Sequence, residues 1–161
     1  MSNIVVSSWS FVRPANITAY ASGQLVANST TAGSVIPMTF NVRNENIGSI
    51  VRRVRMRKTS TGVSGSSFRV HLYNSAPTVT NGDGGVWLST QSGYIGAFDV
   101  TIDKAFSDGS SGQGVPVSTT GVDVNLIYGT VYGLVEARGA YTPTSGETIT
   151  VELEVVCDPI D

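Results

Sequence analysis

The chain has 161 residues, the usual size of one domain, and 40% of them are hydrophobic, which is enough to bury a core. Only 14% of the residues are charged, fewer than the roughly 25% of an average globular protein, so the composition excludes a disordered chain. The net charge of −2 is too small to predict a nucleic-acid or membrane partner. We expect a single domain over residues 1–161.

Short segments that alternate apolar and polar residues recur along the chain, and no segment keeps the i, i+3, i+4, i+7 spacing of a helix over three turns. In chain order, the alternation predicts strands over residues 3–12, 17–27, 35–43, 49–59, 67–74, 86–90, 94–102, 122–127, 130–138 and 147–157. Turn-forming residues fill the stretches between them, notably 74–85 and 106–116. The pattern predicts an all-β fold, an antiparallel β-sandwich of jelly-roll type with eight to ten strands.

His71 is the only histidine, so a catalytic triad or dyad would have to use it. Its position predicts an outward-facing side chain, and the chain contains no G-x-S-x-G motif. We therefore interpret His71 as a surface or interface residue and expect no enzyme activity.

Cys157 lies on the apolar face of the last predicted strand and is interpreted as a small buried hydrophobe. One cysteine excludes an intrachain disulfide, which fits folding in a reducing cytoplasm, and the N-terminus has no signal-peptide pattern. One cysteine and one histidine cannot build a zinc site by themselves. The segment Asn81–Gly85 lacks the full ladder of calcium ligands and is interpreted as a glycine-rich turn. We predict no cofactor and no metal.

Five of the ten basic residues lie within seven positions: Arg52, Arg53, Arg55, Arg57 and Lys58. On a strand, three of these arginines would form a ladder on one face, where like charges repel unless an acidic group lies opposite. Glu152 and Glu154 are the preferred partners, an acidic surface on a partner protein comes second, and nucleic acid comes last.

The N-terminal segment is apolar enough to add to the edge of a neighbouring sheet. Residues 1–14 therefore fit two descriptions equally well, an extended arm that contacts a partner or an ordinary edge strand. The eight tryptophans and tyrosines could instead form a sugar-binding platform, although in a sandwich such residues more often belong to the core or an interface.

The order of these segments resembles that of small bacteriophage capsid decoration (cement) proteins. The resemblance covers residues 16–135, and it is carried by NITAYASGQLV (16–26), VIPMTF (35–40), GSIVRRV (48–54), FRVHLYNSAPT (68–78) and YIG (94–96). The chain departs from the pattern at Asn81–Gly85, where such proteins often carry an Asp-Asn pair.

The resemblance implies a virion structural protein that binds the outer surface of the phage head and stabilises the capsid lattice. Its partners would be the major capsid protein and two further copies in a homotrimer, with no nucleic acid and no membrane. The protein would be made in the host cytoplasm and end on the capsid exterior. The candidate contact residues are Ile4, Val6, Trp9, Arg53, Arg55 and Arg57. The alternative is a carbohydrate- or receptor-binding sandwich of a head fibre or tail tip.

Overall fold

The computed structural model describes residues 3–42, 48–88, 92–117, 122–125 and 129–157. Ten strands run through these residues: β1 (Asn3–Val12), β2 (Gln24–Val26), β3 (Met38–Asn41), β4 (Gly48–Lys58), β5 (Ser67–Tyr73), β6 (Tyr94–Phe106), β7 (Gly109–Pro116), β8 (Val122–Asn125), β9 (Thr130–Ala137) and β10 (Thr148–Cys157). A single 3₁₀ turn, Ala32–Ser34, lies between β2 and β3. Within the described residues, no helix is long and apolar enough to cross a membrane.

The strand pairing is nested and antiparallel throughout. β1 pairs with β10, β2 and β3 pair with β9, β4 pairs with β7 and β8, and β5 pairs with β6. Pairing of the first strand with the last and of successive inner strands with one another is the winding of a jelly roll. The all-β, antiparallel prediction is confirmed.

The curled sheet forms two layers, with β1, β10, β4 and β7 in one and β6, β5, β9 and β2 in the other. Pairing between β6 and β7 joins the layers along one side. The inward side chains form one continuous apolar core, whose largest members include Phe40, Met56, Phe68, Phe98 and Leu153, each no more than 1% exposed. Burial of such side chains is the main favourable term in folding.

A β-bulge on β4 interrupts the alternation of buried and outward residues at Arg52 and Arg53. The register with β10 shifts between Glu154 and Val155, so one extra residue is inserted on β4. Val51 and Val54 are therefore both fully buried although they are three positions apart. Arg52 and Arg53 occupy the outer side of the irregularity.

One strand was missing from the sequence prediction. Residues 109–116 were expected to form a turn because they are rich in glycine and serine, but they form β7. A Cβ on Gly112 would lie 2.0 Å from the carbonyl oxygen of Thr101, and one on Gly114 would lie 2.6 Å from Cγ2 of Val100. Glycine is needed here because the neighbouring strand approaches too closely for a side chain.

Other strands were predicted at the correct positions in the chain but with too many residues. Residues 17–27 contribute only β2, and residues 35–43 contribute only β3. In the predicted strand 86–90, Val86 forms an isolated bridge with Gln24, and residues 89 and 90 lie outside the described residues.

Candidate interaction surface

The two layers differ in what lies on their outer surfaces. We call the outer side of β5, β9 and β2 the covered face, because residues 77–88 fold across it. A second, smaller apolar cluster forms there from Leu25, Ala27, Tyr73 and Leu134, against which Val79 and Trp87 of the covering segment pack. The outer side of β1, β10, β4 and β7 is the open face.

His71 lies on the covered face and is only 4% exposed. Its ring stacks on Trp87 with centroids 3.8 Å apart, and a 2.7 Å hydrogen bond joins Nε2 to Oε2 of Glu136. Burial lowers the pKa of His71, although the Glu136 carboxylate opposes the shift. The prediction of a surface histidine was therefore wrong, because a connection distant in sequence covers an outward-facing position.

This arrangement holds the histidine ring in place. The contacts of the ring are with Glu136, Trp87 and Tyr94, whose hydroxyl lies 3.4 Å from Nδ1. Cys157 is buried in the core, as the sequence predicted. In the part of the chain that the structure describes, no three His, Cys, Asp or Glu side chains cluster as metal ligands would.

Asp83 anchors the covering segment. Its side chain is 3% exposed and accepts hydrogen bonds from Arg13 Nη2 at 3.0 Å, from the backbone N–H of Ala27 at 2.9 Å and from the hydroxyl of Tyr20. The donors to this carboxylate are therefore protein groups, whereas in a calcium loop the carboxylate oxygens bind the ion. Nothing in the sequence pointed to the partner Arg13, because 70 positions separate the two residues.

Lys58 does not belong with the arginines that precede it. Its ammonium nitrogen lies 3.7 Å from Oε1 of Glu147, and both side chains are fully buried. It donates hydrogen bonds to the hydroxyl of Ser60 and to the carbonyl of Gly62. Burial lowers the pKa of Lys58, against the opposing effect of Glu147. Lys58 of the basic run therefore forms an internal ion pair, whereas the arginines of the run lie on the open face.

The arginines of β4 pair with glutamates of β10 across the open face. Arg52 Nε donates to Oε1 of Glu154 at 2.9 Å, and Arg55 binds both Glu152 and Glu154. The bond from Arg52 lowers the pKa of Glu154. For the predicted ladder, Arg53, Arg55 and Arg57, the preferred pairing with Glu152 and Glu154 is confirmed at Arg55. Arg52, which the ladder did not include, binds Glu154 as well.

Two arginines of the open face are less engaged. Arg53 lies opposite Glu154 in the register, and the side chain of Arg57, 63% exposed, lies 4.0 Å from Asp108. Beside them a groove of about 190 Å³ runs between β10, β4 and β7. Its walls include Arg55, Arg57, Lys104, Gln113 and Glu152, and Gly112 in its floor contributes no side chain.

Apolar residues occupy the other end of the open face. Ile4 lies opposite Val156, and Val156 lies opposite Ile50, which makes a row across three strands. Ile4 is 56% exposed, Ile50 44%, and Val6 on the same side of β1 is 54% exposed. An exposed apolar row beside paired charges has the composition of a protein contact surface.

The structure brings together five of the six predicted contact residues: Ile4, Val6, Arg53, Arg55 and Arg57 lie on the open face. Trp9 does not join them, because it lies on the opposite side of β1, half-buried against the core. Ile50 and Val156 belong to the same surface but were not singled out. These two residues are recognised by their register with Ile4, and the sequence alone does not show which strands are neighbours.

The aromatic residues that the structure describes do not all lie on one surface, although Tyr73, Trp87, Tyr94 and Tyr132 gather on the covered face. Trp9 faces the core and Trp87 lies on the covered face. Tyr20 and Tyr141 stack inside the protein with ring centroids 6.1 Å apart, and Tyr73 is fully buried. Tyr128 lies outside the described residues.

No protein-family model and no curated protein matches the sequence. Among solved structures, the chain is similar to a chain of the cyanophage Pam1 capsid asymmetric unit, with 13% identity and a TM-score of 0.34 over 98% of this chain and 86% of that one. It is also similar to the decameric BFDV capsid protein, with 13% identity and a TM-score of 0.32 over 99% of this chain and 100% of that one. Similarity at this level carries no inference about function.

Proposed function

We propose that this protein is a virion structural protein that decorates the outside of a bacteriophage head and stabilises the capsid lattice. The proposal rests on the resemblance carried by residues 16–135 and on one structural observation, the open face. There an exposed apolar row lies beside a row of arginines, some of which pair with the glutamates of β10.

Such a surface is suited to adhesion between proteins. Apolar side chains at the centre of a contact supply binding energy, while charged side chains around them select the partner and its orientation. The paired Arg55 and Glu152 remain partly exposed, so they can exchange or share hydrogen bonds with a partner. The major capsid protein is the proposed partner, and a homotrimer is the proposed assembly. Many copies on a symmetric lattice would bind strongly even if each contact is weak.

Binding to capsids tests the proposal directly. Purified protein is mixed with undecorated phage heads, and the bound copies are counted and located by electron microscopy. We expect saturable binding at the three-fold points of the lattice and a higher temperature of capsid disruption. Random attachment, or none, would contradict the proposal.

Paired variants locate the docking surface. Ile4→Lys combined with Ile50→Lys places two charges in the apolar row of the open face, and we expect binding at least about tenfold weaker, which corresponds to about 1.4 kcal/mol. Val86→Lys combined with Leu88→Lys is the matched control, because these residues are 62% and 56% exposed on the segment that covers the other face. Equal losses in both variants would show that the open face is not the docking surface.

A further inference from the structure

The outer edge of β1 is unusual for an edge strand. The ten residues NIVVSSWSFV contain no charged side chain and no proline. The ladder partner of β1 is β10 along its entire length. β3 packs against β1 from the other layer but pairs through its backbone with β9. Proteins normally protect a long edge with charges, prolines or short strands, because its free N–H and C=O groups attract another strand.

The opposite edge of the sheet shows the usual protection. There β9 is paired by two short strands, the three residues of β2 and the four residues of β3. β1 instead presents a long edge whose outward residues Ile4, Val6 and Val12 are each more than half exposed. Within the described residues no strand pairs with this edge of β1, and an edge of this kind favours the addition of a partner strand.

We propose that β1 pairs antiparallel with β1 of a second copy, around a two-fold axis that passes through Ser8. In this register Ile4 lies opposite Val12 of the partner copy and Val6 lies opposite Ser10, all on the outward side. On the inward side Val5 lies opposite Phe11. Residues of the same face meet in every pair, as antiparallel pairing requires.

The composition of β1 favours a second copy over a different partner. Around a two-fold axis every contact occurs twice, and a charged residue near the axis would face its own copy and repel it. β1 has small Ser7 and Ser8 at the centre and apolar residues toward both ends, so the strand is complementary to itself. The two sheets would join into one continuous sheet through the backbone.

This pairing does not depend on the proposed function, because it requires only the purified protein. If both hold, each β1 edge would connect two neighbouring decoration units. Failure of the pairing would leave capsid binding unaffected, since that is measured separately on phage heads.

Cross-linking tests the register. Ser8→Cys places two thiols on the axis, where opposed Cα atoms are about 4.5–5.5 Å apart, within the range that a disulfide spans. Ser10→Cys is the matched control on the same exposed side, and its two copies would be about 13 Å apart, too far for a disulfide. We expect a disulfide-linked dimer from Ser8→Cys and at least tenfold less from Ser10→Cys. Equal yields, or none from Ser8→Cys, would overturn the register.

A second variant tests the association itself. Ser8→Lys places like charges opposite each other on the axis while the exposed side chain leaves the fold intact. In sedimentation, we expect the average mass of the wild-type protein to be about twice that of Ser8→Lys. Equal average masses for the wild-type protein and Ser8→Lys would overturn the proposal.

Discussion

The two outer faces of this jelly roll begin from similar sequence patterns and end in different environments. Both carry polar residues at alternating positions of a strand, with Arg69 and His71 on β5 and Arg55 and Arg57 on β4. On one face a long connection brings Trp87 onto His71 and buries it. On the other, the arginines remain partly exposed and lie beside carboxylates, Glu152 for Arg55 and Asp108 for Arg57. The pattern of a strand therefore sets the side of the sheet on which a residue lies, whereas the connections between strands decide whether that side is exposed to water.

The largest expected effect comes from releasing the covering segment. Asp83→Ala leaves the buried guanidinium of Arg13 without its carboxylate, and we expect the free energy of unfolding to fall by about 3–5 kcal/mol. Denaturant titration with tryptophan fluorescence measures the loss and follows Trp87 at the same time. Asp108→Ala on the open side, where the carboxylate side chain is 79% exposed, is the control and should change stability little. Similar losses of stability in Asp83→Ala and Asp108→Ala would show that the ion pair of the covering segment stabilises the fold no more than an exposed carboxylate does.

The second largest loss of stability is expected from Trp87→Ala, which removes the ring that stacks on His71. The side chain is partly buried, so we expect a loss of about 2 kcal/mol, less than for a fully buried tryptophan. Leu88→Ala, at an exposed neighbouring position, should cost no more than about 0.5 kcal/mol. Thermal unfolding of both variants provides the measurement, and an unaffected melting temperature in Trp87→Ala would show that the segment does not stabilise this face.

Acidification should lower the free energy of unfolding through His71, which lies on the covered face. Its pKa in the folded protein is lowered by burial, so below the unfolded value of about 6.5 the unfolded chain binds a proton that the folded chain does not. Stability should therefore fall as the pH drops from about 6.5 toward the folded pKa. Comparison of wild type with His71→Gln at about pH 7.5 and about pH 5.5 isolates this contribution from that of Glu154, whose pKa is also lowered. An equal pH dependence in the two proteins would contradict it.

The smallest effect is expected on the open face. A double-mutant cycle on Arg55 and Glu152, whose side chains are 40% and 33% exposed, should give a coupling of about 0.2–1 kcal/mol. The same cycle on Arg57 and Asp108, 4.0 Å apart and more exposed, should give less. A coupling above about 2 kcal/mol would mean that the ladder on the open face is itself a stabilising element of the fold.

The alternation of apolar and polar residues was enough to predict the fold class and, for many residues, which side of the sheet they occupy. Period-two alternation placed Phe68, Val70 and Leu72 in the core and Glu152 and Glu154 outside it, because successive side chains of a strand point to opposite faces. It also identified Glu152 and Glu154 as partners for the arginines of β4, since opposite charges on one face stabilise neighbouring strands.

Which outward positions are covered, and which buried charges form ion pairs, depends on how the chain folds in three dimensions. The burial of His71 depends on Trp87, and the ion pairs Arg13–Asp83 and Lys58–Glu147 join residues far apart in the chain. β7 was read as a turn because glycine favours turns, whereas here glycine admits the close approach of a neighbouring strand. Local patterns record the geometry of one strand, but burial and close approach depend on segments that only folding brings together.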